Sequence, residues 1–408
     1  MFTNIQQMDD MVRKHDQYRA KCLNLIASEN YSSNSVRNHL TSDFSNRYGC
    51  YPTANPESRE YRGNKYIHEF EMETQKLVGE VFGAEYVDLR PIGGHIAGIA
   101  TVLGLLAPGE LVYEISLKDW GHGLVTLMRE VPHFRQTIRL DWIPFDEDRQ
   151  VDMTQLEAMI VEQKPKMIIL GGSGMLWAEP IAELRAIADR EGIILAYDAS
   201  HVTGLIAGGV FPNPLRLGAD VMFGSTHKSF PGPQGGFIAT NDYDIYKKVG
   251  NTVGSALVTS HHLNRLPALA VSMLEMKKHG PQYGEQIIKN SKALGQAMQE
   301  VGFKVVGARK GFSDTHLILV DVSEFGSGLK ISKLLEEATI LCSDDFGQLD
   351  KELRIGTAEI TRRGMKEKEM KTIAKLFARV IIANEDTQQV AREVEALTQG
   401  FLGCEFTL

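Results

Sequence analysis

The sequence predicts an α/β fold in which a large domain on a mostly parallel sheet is followed by a smaller α+β domain. Three observations carry this. The middle of the chain alternates short apolar runs with amphipathic stretches, the pattern of neighbouring strands joined by helices. A small-residue turn, Gly93-Gly94, opens directly into an apolar helical stretch. After about Pro267 the alternation gives way to long helical periodicity.

Taken in order, 1–40 reads as an N-terminal arm or helix, 41–267 as the large domain and 268–408 as the small one. Apolar residues at helical spacing predict a helix from Ile67 to Phe82, and another from Ile96 to Leu106 behind the glycine turn. A buried strand at Met167 to Leu170 and a helix at Ile181 to Glu191 follow. Three more strands lie at Ile193 to Tyr197, Val221 to Gly224 and Phe237 to Thr240. The small domain reads as a helix from Ala268 to Val301, a strand from Thr315 to Val322 and a helix from Leu329 to Ala338. Two last helices fall between Lys366 and Leu397.

Composition narrows the function classes. The 408 residues are 43% hydrophobic and 24% charged, which supplies a core and excludes disorder as the main state. Lys and Arg total 44 against 52 Asp and Glu, a net charge of −8 with no basic block, which argues against nucleic-acid or anionic-membrane partners. Cys22, Cys50, Cys342 and Cys404 are scattered, with no C-x-x-C pair, so neither a disulfide framework nor a thiolate zinc site is expected. The start, MFTNIQQMDDMVRKHDQYRAK, is polar where a signal peptide needs an apolar core, and no apolar run approaches the ~18 residues of a membrane span. A cytoplasmic protein with no membrane partner is expected.

The segment from Leu195 to Gly236 carries the most chemistry. An apolar strand delivers Asp198 at its C-terminal end, where α/β sheets present ligand-binding groups, and a second strand delivers Ser225-Thr226-His227-Lys228. A lysine there suits a Schiff base with an aldehyde cofactor, and an aspartate suits a pyridinium nitrogen that must stay protonated. The pair points to pyridoxal 5′-phosphate. Taken singly, each has a plainer reading: a lysine after a strand is commonly a solvated surface group, and an aspartate there is commonly a loop or capping residue.

Four motifs in order make the pairing specific: LIASENY (Leu25 to Tyr31), AYDASHVTGLIAGGVF (Ala196 to Phe211), GSTHKSFPGPQGG (Gly224 to Gly236) and RIGTAEITRRGMKEKEM (Arg354 to Met370). Over nearly its whole length the chain resembles the serine hydroxymethyltransferase family, and most closely its archaeal branch. The resemblance implies a fold-type I pyridoxal-phosphate enzyme, a homodimer with active sites built by both subunits.

By that resemblance Lys228 is the Schiff-base lysine, Asp198 the partner of the pyridine nitrogen, and His201 a neighbour of the phenolic oxygen. His122, in SLKDWGHG, matches the histidine that stacks on the pyridine ring. Ser173 matches a serine near the cofactor, His227 precedes the lysine as in the family, and Ser225, at the end of the same strand, is a further cofactor-binding candidate. Tyr48 and Tyr61 match tyrosines that reach the neighbouring active site. Ser28 and the TRRG arginines match the groups that hold the amino-acid carboxylate, with Arg363 fitting the bacterial pattern and Arg362 the archaeal one. The histidines His201, His227, His261 and His262 bring no H-E-x-x-H motif or acidic ligand set, and no metal is expected.

Three departures stand out. Family members carry an acidic residue shortly after the first tyrosine, in a pattern resembling Y-A-E-G; here Tyr48-Gly49-Cys50-Tyr51-Pro52 is one residue shorter and has no glutamate, although Glu57 and Glu60 follow. A thiol is a weak proton carrier at neutral pH unless its pKa is shifted. The phosphate turn reads Gly93-Gly94-His95 where many members carry serines, leaving backbone N–H groups and the His95 ring as donors. Finally, Cys342 to Leu353 is shorter than the folate-contacting segment of typical members. Use of tetrahydrofolate or another pterin is therefore the least secure inheritance.

The expected activity is making or breaking the Cα–Cβ bond of a β-hydroxy amino acid through a glycine quinonoid, as hydroxymethyltransferase, aldolase or transaldolase. The expected partners are an amino acid and an aldehyde or pterin co-substrate. The alternative is other chemistry at Cα with the same cofactor: racemisation, β-elimination, transamination or decarboxylation.

Overall fold

The computed structural model describes residues 2–408. The chain divides into two compact units, one of residues 32–285 with 406–408 and one of residues 1–31 with 286–405. These divisions differ from the expected ones at 40 and 267, for two reasons. Leu23–Asn24 pairs in parallel with Ile340–Leu341, which draws the N-terminal arm up to residue 31 into the smaller unit. Around residue 267 there is no break, because one helix runs unbroken from Arg265 to Glu300 with Pro281 inside it.

The larger unit is built on a seven-stranded sheet. Its order is Tyr86–Asp88, Gly236–Thr240, Val221–Ser225, Ile194–Asp198, Met167–Leu170, Leu111–Glu114 and Arg139–Trp142. Gly236–Thr240 alone runs against its neighbours, because it returns from Val221–Ser225 as the second arm of a hairpin. The other neighbouring strands pair in parallel, and the central ones are buried on both faces, as helix-covered parallel strands are. Ala97, Val102, Val112, Leu124, Met167, Ala196, Phe223 and Ile238 belong to one apolar core around this sheet. Each fully buried Val, Leu, Ile or Phe contributes about 1.5–3 kcal/mol.

The smaller unit carries a four-stranded antiparallel sheet in the order Ser343–Asp344, Glu352–Gly356, Leu317–Asp321, Lys304–Val305. Helices Gly328–Glu337, Glu367–Ile381 and Thr387–Gln399 belong to it. Its own core includes Leu23, Leu25, Ile318, Leu335, Ile355, Ile373 and Phe377.

The expected helices and strands form within a few residues of their predicted limits, for example Lys65–Phe82, Gly94–Leu105 and Ile181–Glu191. Helix Ile5–Lys21 forms within the expected N-terminal arm or helix, whereas the strands Tyr86–Asp88, Leu111–Glu114 and Arg139–Trp142 and the helix Met153–Gln163 have no counterpart among the expected elements. Arg139–Trp142 is a four-residue edge strand with two exposed residues, too short and too polar to show alternation. Helix Ile5–Lys21 buries no residue, and its apolar residues Ile5, Met8, Met11 and Val12 stand exposed.

Candidate active site

In the larger unit the parallel strands end beside one another, and their C-terminal ends present the chemistry. Asp198 closes its strand and is buried. Its Oδ1 accepts the Ser200 N–H at 2.9 Å, and its Oδ2 is hydrogen-bonded to His122 Nδ1. Burial works against ionisation of this carboxyl, yet His122, Lys228 and Ser200 outweigh it and hold the pKa below the ordinary range. The neighbouring strand comes close enough to require Gly171: its φ is +92°, and a Cβ there would lie 2.1 Å from the Asp198 carbonyl oxygen.

Lys228 is buried in the hairpin loop between Val221–Ser225 and Gly236–Thr240. The loop is pinned at several points. Thr226 N–H donates to Gly235 O at 3.1 Å and Thr226 Oγ1 to Pro233 O at 2.6 Å, while Ser229 Oγ accepts from Gly204 N–H at 3.0 Å. His227 Nδ1 accepts the Gly235 N–H at 3.4 Å, which assigns the ring proton to Nε2. Burial and the adjacent Lys228 push this imidazole down to about 4, so it is neutral at physiological pH.

His122 and His201 meet edge to face, with ring centroids 6.2 Å apart. The segment carrying His122 is anchored on both sides. Ser173 donates through its N–H and its hydroxyl to Trp120 O, at 2.6 and 3.1 Å. Glu114 accepts from Val125 N–H at 2.9 Å, Thr126 N–H at 2.8 Å and Thr126 Oγ1 at 2.6 Å. Sequence reading missed Glu114, whose strand it had not found.

Gly93 is extended and begins helix Gly94–Leu105 without a side-chain cap. A Cβ on Gly94 would stand 2.5 Å from Ser225 Oγ and 2.6 Å from Ser200 Oγ, so the turn, Ser200 and Ser225 form one cradle that only glycine permits. His95 lies in the same field as His122, Asp198 and Lys228, and burial followed by His122 and Lys228 lowers its pKa despite Asp198. Uncapped N–H groups with two hydroxyls fit a phosphate, an ionised buried carboxylate fits a pyridinium nitrogen, and a buried lysine fits an aldehyde. The donor set therefore fits pyridoxal phosphate.

Tyr48 and Tyr61 pair with each other, ring centroids 4.7 Å apart, and remain 45% and 50% exposed. Asn64 Nδ2 donates to both of their carbonyls, at 2.9 and 3.3 Å. Between them, Glu60 N–H donates to Cys50 O at 3.2 Å, and burial with nearby Glu60 raises the Cys50 thiol's pKa. Glu57 and Glu60 are exposed.

In the smaller unit, Ser28 follows Ala27, whose carbonyl contacts the buried His316 Nε2 at 3.2 Å. Arg362 is fully buried, and Asn290 Nδ2 fixes its turn by donating to Thr361 Oγ1 at 2.8 Å and Met365 O at 2.9 Å. Arg363, named first from the sequence, lies 3.4 Å over the Tyr31 ring and donates to Leu402 O at 2.9 Å and Gly403 O at 3.4 Å. Its guanidinium is thus engaged by an aromatic face and the C-terminal main chain.

The whole chain superposes on the crystal structure of L-threonine transaldolase from Pseudomonas fluorescens with a TM-score of 0.92 and 29% identity, covering 99% of this chain and 93% of that one. Fold and site together define a fold-type I pyridoxal-phosphate enzyme. The chain belongs to the serine hydroxymethyltransferase family, whose sequence pattern matches residues 3–377. It is 39% identical to the serine hydroxymethyltransferase of Staphylothermus marinus, covering 98% of this chain and 92% of that one. It is 43% identical to that of Saccharolobus solfataricus, over 91% and 87% of the two chains. Like its family, it is a pyridoxal-phosphate-dependent transferase that makes or breaks the Cα–Cβ bond of β-hydroxy amino acids.

Proposed function

We propose that the protein interconverts a β-hydroxy amino acid of the serine type and glycine, with Lys228 and Asp198 as the central catalytic pair and Arg362 as the carboxylate clamp. The observation that carries this is the buried Asp198, held ionised beside His122 and in the field of Lys228. When bound, pyridoxal phosphate supplies an aldehyde for the substrate amine and an electron-poor ring that accepts the pair left at Cα. Asp198 would hold the negative charge that keeps a pyridine nitrogen protonated. His122 and His201 meet edge to face beside it, and Gly93, Gly94, His95, Ser200 and Ser225 would receive the phosphate. Lys228 would supply the amine for the cofactor's aldehyde and, once freed by substrate, a base. Arg362 holds the substrate carboxylate with Ser28, as the archaeal form of the motif implies, while Arg363 lies over the Tyr31 ring and donates to Leu402 O.

The protein acts as a homodimer in the cytoplasm. The exposed Tyr48–Tyr61 pair supports the first statement, as a surface suited to complete a partner's site, and four scattered cysteines with no C-x-x-C pair support the second. Among the described residues no helix is long and apolar enough to cross a membrane.

A second reading is transfer to an aldehyde without folate. It is favoured by the loop of residues 48–52, which offers a thiol raised by burial where an acid is expected. The test is glycine formation from L-serine and from L-threonine, with and without tetrahydrofolate. Serine turnover accelerated by folate establishes the hydroxymethyltransferase; threonine turnover indifferent to folate establishes the aldehyde reading; turnover of neither overturns both.

A further inference from the structure

Arg265, the first residue of helix Arg265–Glu300, is a buried cation with no place in the reaction described above. It is 3% exposed. Its Nη2 donates to Pro91 O at 3.0 Å and its Nη1 to Gly236 O at 3.3 Å, while Nε has no hydrogen-bond partner among the described residues. The carboxylates that act on it, Glu71 and Asp88, are themselves paired with Arg59 and Arg90. Burial dominates, and pushes the guanidinium down to about 10. A buried charge whose neighbouring carboxylates are already paired is costly, and an anion bound nearby would offset that cost.

The surroundings name that anion. Pro91 and Gly236 are the ends of the two segments that form the phosphate cradle. Gly236 N–H donates to Pro91 O at 2.9 Å, and a Cβ on Gly236 would lie 2.4 Å from Gly93 O. Gly235 is equally confined: a Cβ there would lie 2.2 Å from Arg265 Nη1. The guanidinium therefore ties together the backbone that positions Gly93-Gly94, and its charge stands behind a turn with no side-chain cap.

We propose that Arg265 is a positioning residue for the cofactor's phosphate, bracing the Pro91 and Gly236 segments and supplying a positive charge behind the Gly93-Gly94 turn. This rests on the pyridoxal-phosphate site described above and extends it to a residue outside the motifs.

The test compares binding of pyridoxal phosphate and of pyridoxal, which lacks the phosphate but keeps the aldehyde, to apoprotein prepared from wild type, Arg265→Met, Arg265→Lys and Gly235→Ala. Visible absorbance of the lysine-bound cofactor gives both affinities. Arg265→Met is expected to weaken pyridoxal phosphate at least about tenfold, the scale of a charge-assisted contact, and to leave pyridoxal within about twofold. Arg265→Lys is expected to recover part of the loss. Gly235→Ala keeps the charge but displaces Nη1, and is expected to reproduce the phosphate-selective loss even if Arg265→Met fails to fold. Equal weakening of both ligands, or no weakening of either, overturns the proposal. Wild-type apoprotein that attaches neither ligand overturns the cofactor reading itself.

Discussion

Asp198 Oδ2 is hydrogen-bonded to His122 Nδ1, which joins a strand end to a loop 76 positions earlier in the chain. The contact places an imidazole against the one carboxylate that the site holds ionised against its own burial. Replacing that carboxylate with its neutral isostere isolates the charge from the shape.

For Asp198→Asn, cofactor attachment at Lys228 is expected to survive while kcat falls by about a hundredfold or more, because charge stabilisation of the developing carbanion is lost. Exchange of the glycine α-proton into deuterated water measures it. A rate near wild type would remove Asp198 from the mechanism.

Lys228→Ala removes the amine that captures the aldehyde. The purified variant should lack the visible absorbance of attached cofactor, and borohydride treatment should leave its mass unchanged. A wild-type spectrum would mean that another residue carries the cofactor.

The two TRRG arginines should separate cleanly. Arg362→Lys loses bidentate geometry, and KM for L-serine is expected to rise about tenfold to a hundredfold with the fold intact. Arg363→Lys loosens the contacts to Tyr31 and Leu402, and should lower the melting temperature while moving KM little. The reverse pattern in steady-state kinetics would return the clamp to Arg363.

His227 ties stability to acidity. Its pKa falls from an ordinary 6.5 to about 4 on folding, so the unfolded chain binds the proton first. The stability this neutral imidazole retains is present above pH 6.5 and is lost as pH drops toward 4. His227→Asn should flatten the melting temperature across that window relative to wild type. Identical pH profiles would show that the ring does not titrate differently on folding.

The sequence made the centre of the site legible and left its supports hidden. Asp198 and Lys228 could be placed because each follows a buried apolar run, and a strand end fixes where the next residue stands. Glu114, Asn290 and Arg265 act through tertiary contacts that no local pattern announces. The surroundings of Arg362 and Arg363 were equally hidden: Arg362 is fully buried and Arg363 lies over the Tyr31 ring, a difference that only packing makes. The division at residue 31 was hidden for the same reason: a two-residue strand pairing with Ile340–Leu341 carries no periodicity of its own.

Lys228, Asp198, His122 and His95 all come from residues 32–285, whereas Ser28 and Arg362 come from the other unit. On the proposed assignment, the residues that would hold the cofactor and the arginine that would clamp the amino acid are thus encoded in separate stretches of the chain. Exchanging residues 286–405 between relatives would then replace Arg362 and its surroundings while leaving Lys228, Asp198, His122, His95 and Ser28 in place.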